Sequence, residues 1–176
     1  MAENQTPDPK EQNRVHLTQL LQSKAGLKQD IAEDAQAVFN ELKAQIKIEL
    51  DALRKLVPDP RVRLHFKERG SQEIHVYIGS DVLVFSLHNN VFRLPDSNPL
   101  WGTAYFQQDE RNGYFGVIYV YNFLAESLIQ NRLDDSGYLI SRLFVNFDKH
   151  FFIEGRTQLS GIFRDRKSTR LNSSHL

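Results

Sequence analysis

The chain has 176 residues, of which 40% are hydrophobic and 25% are charged, with 22 basic and 22 acidic side chains and no cysteine. This length and composition are typical of one globular domain. The absence of cysteine excludes disulfides, thiolate metal sites and a cysteine nucleophile. The polar N-terminus does not resemble a secretory signal, and no apolar run approaches the roughly 20 residues that cross a bilayer. We therefore expect a cytoplasmic protein with no membrane partner.

The C-terminal residues 165–175 read DRKSTRLNSSH, which resembles the translation of a sequencing-library adapter. We interpret residues 165–176 as an artefactual tail, and we expect the natural domain over 58–164 to be truncated. Without residues 165–176 the chain keeps 19 basic and 21 acidic side chains, a net charge of −2. Binding a phosphate backbone requires a concentrated excess of Lys and Arg, so the sequence predicts no nucleic-acid partner.

The N-terminal third is predicted to be helical. Residues 1–13 are polar and contain prolines, which favours disorder, and residues 14–57 form the helical segment. A short helix is expected over Val15 to Gln22, with Gly26 ending it. From Lys28 to Leu56, apolar residues recur at a mean step of about 3.75, which favours a helix that packs on a sheet over a left-handed coiled coil. Pro58 and Pro60 then end this helix.

The period changes to two after the prolines, which predicts strands. Residues 62–67, 73–78, 81–87 and 91–94 are expected to form an antiparallel meander. If residues 69–71 form the first loop, Phe66 faces Ile74 and His65 faces His75.

The second half of the chain predicts more strands and one short helix. Strands are expected at residues 101–107 and 114–121, and a helix over Phe123 to Leu133 with Asn122 as its N-cap. Residues 138–147 and 151–153 predict a final hairpin. The fold class is therefore α+β: a long N-terminal amphipathic helix, an antiparallel meander sheet, one further short helix and a C-terminal hairpin.

Few residues carry a pattern that indicates chemistry. His65 and His75 are weak candidates for metal ligands, because a solvent-facing pair explains them as well and no third ligand is evident. The neighbours Asp134 and Asp135 are typical of a turn, and no glycine-rich phosphate loop follows a strand. We therefore assign no catalytic residue, no metal and no cofactor, and favour a non-catalytic protein while leaving an enzyme open.

The long helix is the most informative functional feature. Its 29 residues from Lys28 to Leu56 span about 43 Å, whereas strands of seven residues span about 23 Å, so part of the apolar stripe should extend past the sheet. The short preceding helix, a second copy of the chain or a different protein could cover that part. We select five residues of the stripe as candidate interaction residues: Ile31, Val38, Leu42, Ile46 and Leu53.

Four segments carry a family resemblance: GSDVLVF at 79–85, VYNFLAESL at 120–128, DSGYLISRLFVN at 135–146 and HFFIEG at 150–155. Over about residues 59–163 the chain resembles a family of conserved bacterial cytosolic proteins of unassigned function. The resemblance implies a bacterial origin and supplies no activity, cofactor or site residue.

The sequence thus predicts an interaction or assembly module that uses the helix over residues 28–57, with a homodimer or another protein as its partner. The alternative is a small-molecule-binding sensor domain whose aromatic-lined pocket lies between the sheet and the helix at 123–133.

Overall fold

The computed structural model describes residues 8–132 and 134–155, together with the backbone of 159–163. The helices are α1 (Pro9–Leu20), a π-helical turn (Leu21–Ala25), α2 (Gly26–Leu56), α3 (Ala104–Gln108) and α4 (Ala125–Ile129). The strands are β1 (Leu64–Arg69), β2 (Glu73–Ile78), β3 (Asp81–Leu87), β4 (Phe92–Arg93), β5 (Tyr114–Leu124), β6 (Tyr138–Val145), β7 (Phe151–Gly155) and β8 (Leu159–Phe163). The predicted α+β class and final hairpin are confirmed. The predicted artefactual tail lies outside the described residues.

The N-terminal helix is continuous from residue 9 to residue 56, as α1, the π-helical turn and α2 follow one another without a break. Its start is well specified, because the Asp8 side chain accepts a hydrogen bond from the amide of Lys10 and Pro9 occupies the first turn. The prediction that Gly26 ends a separate helix is wrong, since Gly26 has a helical φ of −57°. Residues 9–13 are likewise helical, where the sequence predicted disorder.

The sheet runs in the order β1-β2-β3-β5-β6-β7-β8, and β4 pairs with the start of β5. All pairs are antiparallel, as the meander predicts. The predicted β1–β2 register is wrong by two residues, because Phe66 lies opposite Val76 and His65 opposite Tyr77. The loop is residues 70–72, with Gly70 in the left-handed region at φ 69°. A shift of two keeps every side chain on its predicted face.

Two predicted elements near β5 are corrected. The expected strand at residues 101–107 is a 3₁₀ turn, Pro99–Gly102, followed by α3. The strand β5 extends to Leu124, and α4 begins only at Ala125. Asn122 is therefore a strand residue, not an N-cap. It pairs with Leu83 on one side and Tyr138 on the other, so the sheet ladder outweighs the local capping preference.

The main core lies between α2 and one face of the sheet. Helix and sheet approach most closely where Gly116 faces Ala35, since a Cβ on Gly116 would lie 2.4 Å from the Cβ of Ala35. The buried members of this core are Ala35, Phe39, Leu50, Ile74, Val76, Leu87, Ile118 and Val145. Two smaller clusters cover the ends of the opposite face, one beneath α4 and one beneath the segment that contains α3. The middle of the sheet face opposite α2 lies between these two clusters.

Candidate interaction surface

Most of the predicted interaction residues lie inside the protein's own core. Ile31 is fully buried, and Val38, Leu42 and Ile46 pack against the buried cluster beneath α2. Only Leu53 of the five is well exposed, at 43%. The first four residues therefore stabilise the fold. Leu53 is exposed and lies near the C-terminal end of α2.

Leu53 belongs to an exposed apolar surface at one end of the sheet, which we call the end patch. Its members are Leu53 (43% exposed), Leu56 (77%), Val62 (39%), Ile78 (40%) and Leu124 (61%). All are large apolar side chains that a monomer exposes to water. Contiguous exposed apolar surface of this kind is characteristic of interaction sites.

The backbone brings these four chain segments to the same end of the sheet. The guanidinium of Arg54 donates to the carbonyl of Leu64 at 2.6 Å, which holds the end of α2 against the start of β1. Leu64 pairs with Ile78 at the far end of β2, and Asp81 pairs with Leu124 at the end of β5. By strand alternation, Ile78 and Leu124 project toward the face that α2 covers. These segments therefore lie at the same end of the sheet, with Asp81 between Ile78 and Leu124 on the same face.

Three ion pairs lie around the end patch, and Lys55 and Asp81 add one further charge of each sign. Arg54 pairs with Asp51 at 2.7 Å, and Arg61 pairs with Asp59 at 2.6 Å. Arg63 pairs with Glu126 of α4, also at 2.7 Å. These exposed pairs contribute little to stability, but they leave a rim without a dominant charge. The rim is consistent with a partner surface that is itself close to neutral.

A second exposed apolar region lies at the other end of the long helix. Among the described residues of α1 none is buried, and Val15, Leu17 and Leu21 are 52%, 57% and 65% exposed. Because α1 continues the same helix as α2, it does not fold back over the α2 stripe. This excludes the short preceding helix as the cover of that stripe.

The two weak metal candidates lie on neighbouring strands but do not face each other. The ring of His65 stacks on Tyr77 with centroids 4.1 Å apart, and the buried His75 bonds through Nε2 to Glu73 at 2.7 Å. Burial, followed by the charges of Arg54, Arg63 and Lys67, lowers the pKa of His65 below 6.5. Within the described part of the chain, no three His, Asp or Glu side chains are grouped to hold a metal ion.

Side chains fill the space predicted as an aromatic pocket. Tyr77, Val82, Val84 and Ala125 form a buried cluster there, against which Tyr121, Phe123 and Leu128 pack. Two small clefts lie elsewhere. One, of about 160 Å³, lies between α2 and β7, and another, of about 230 Å³, lies along β6 and β7. Both are smaller than typical ligand pockets of about 300 Å³ or more.

No family model, curated protein or solved structure matches this chain. The resemblance to a bacterial family therefore stays a prediction. In the part of the chain that the structure describes, no helix combines the length and apolar character needed to cross a membrane.

Proposed function

We propose that this protein is a non-catalytic assembly module that self-associates through the end patch. The observation that carries this proposal is that five large apolar side chains, each 39–77% exposed, lie on four chain segments that meet at one end of the sheet. Isolated exposed apolar residues are normal on a protein surface, whereas a group that converges at one place is typical of a binding surface.

A second copy of the chain is the partner that this surface fits best. In a two-fold dimer the same patch meets itself, so apolar side chains pack on apolar side chains. The ion pairs of the rim are neutral overall, so two copies meet without a net repulsion between like charges. The end patch has no net charge that would attract a strongly basic or strongly acidic partner.

Substitution within the patch tests the proposal. Burying an exposed leucine contributes roughly 2 kcal/mol and a two-fold dimer contains Leu56 twice, so we expect Leu56→Asp to weaken dimer formation by about 4 kcal/mol, on the order of 1,000-fold. Leu124→Asp, on a different segment, should have a similar effect. The measurement is multi-angle light scattering over a range of protein concentrations.

Ile48→Asp is the matched control, because Ile48 is 58% exposed on the same helix and is not part of the patch. It should leave the association unchanged. If Ile48→Asp weakens association as much as Leu56→Asp does, the effect of the charge is general and the end patch is not the interface.

A further inference from the structure

The middle of the opposite sheet face carries a row of aromatic rings that the assembly surface does not use. His88 lies 4.8 Å from Phe92 and 5.9 Å from Tyr119, measured between ring centroids. Tyr119 in turn stacks beside Tyr121 at 6.0 Å, with an angle of 23° between the ring planes. Phe92, Tyr119 and Tyr121 are half-buried and His88 is exposed, so part of each residue of this aromatic row is accessible to solvent.

A polar row crosses the aromatic row at Tyr119. Strand pairing places Ser86 on one side of Tyr119 and Arg142 on the other, and Glu154 follows beyond Arg142. Arg142 and Glu154 form an ion pair and are 41% and 40% exposed. Both also line the cleft of about 230 Å³ along β6 and β7. Tyr119 therefore has hydrogen-bonding groups on both neighbouring strands, whereas Tyr121 lies between Val84 and Leu139.

The charge balance of this face limits the ligands that it can take. The guanidinium of Arg142 is already paired with a carboxylate, and Glu73 at the other end of the polar row is bonded to His75. The row therefore has no excess positive charge for a phosphate or a nucleic-acid backbone. It offers guanidinium groups that donate hydrogen bonds, carboxylates that accept them and hydroxyls that do both.

We propose that the aromatic row and the polar row together bind a neutral oligosaccharide. A sugar ring has an apolar face of C–H groups that packs on an aromatic ring, and its hydroxyls both donate and accept hydrogen bonds. Tyr119 would take one sugar ring, and the part of Tyr121 that is not packed against the cluster beneath α4 would contact the next one. Ser86, Arg142 and Glu154 would bond to the hydroxyls at the ring edges.

Calorimetric titration of the full chain with three neutral hexasaccharides tests this site: cellohexaose, maltohexaose and chitohexaose. We expect at least one to bind with a Kd of about 1 mM or below. Tyr119→Leu and Tyr121→Leu remove the flat ring while keeping apolar bulk, and each should weaken binding roughly tenfold. A thermal unfolding curve for each variant confirms that it is folded.

Tyr138→Leu is the matched control, because Tyr138 is 46% exposed and lies opposite Asn122, on the other face of the sheet. It should leave the affinity unchanged. Absence of binding by all three hexasaccharides at 1 mM would overturn the proposal, as would binding that both folded tyrosine variants retain in full. Self-association through the end patch does not depend on either result.

Discussion

Gly116 sets the distance between α2 and the sheet, because a Cβ at this position would lie 2.4 Å from the Cβ of Ala35. We expect Gly116→Ala to lower the free energy of unfolding by about 1–3 kcal/mol, since helix and sheet must move apart. Urea denaturation measures the change. Adding Ala35→Gly should recover part of the loss, and an unchanged stability in Gly116→Ala would contradict the close approach.

We expect His65 to contribute to a loss of stability in acid. Its pKa is lowered by burial and by nearby cations, so the unfolded chain takes up a proton at a higher pH than the folded chain does. Its contribution to stability is therefore lost as the pH falls below about 6.5. His65→Phe keeps a ring against Tyr77 and should show a smaller loss of stability between about pH 7.5 and pH 5. Urea midpoints at these two values measure the difference, and equal losses in both proteins would argue against this role of His65.

At the scale of elements, the continuous helix predicts the sign of the change in stability that a substitution at Gly26 causes. Gly26 is helical, and a Cβ placed on it meets nothing within 4 Å. We expect Gly26→Ala to stabilise the protein by about 0.5–1 kcal/mol, because alanine favours helix more than glycine does. If Gly26 instead ended a separate helix in the left-handed region, the same substitution would destabilise the protein. Urea denaturation decides between the two signs.

Helices and strands that show a regular apolar period along the chain could be predicted from the sequence. The stripe from Ile31 to Leu50 and the alternation in β1 each reflect one covered face, so this helix and this strand could be predicted. In β2 the alternation predicted a strand, but His75 and Tyr77 on its polar face are buried as well. The β1–β2 register depended on the loop conformation at Gly70, which the pattern does not contain. The segment before β5 was missed because Trp101 and Phe106 pack by tertiary contact and follow neither period.

At the scale of the whole molecule, the end patch could be predicted only in part. Leu53 was found because it continues the apolar stripe of α2. Ile78 and Leu124 lie at the ends of strands, and only the sheet order brings them to the end of the sheet where the helix also ends. The periodicity of one helix or strand does not show which other segments lie beside it. A surface formed by four segments can therefore be identified only from the three-dimensional structure.

Sedimentation equilibrium of the unmodified protein tests the central proposal most directly. The chain has a mass of 20.4 kDa. If the end patch joins two copies, the apparent mass should rise toward twice that value as the protein concentration increases, and it should fall back on dilution. A mass that stays at that of one chain over the whole concentration range would contradict self-assembly.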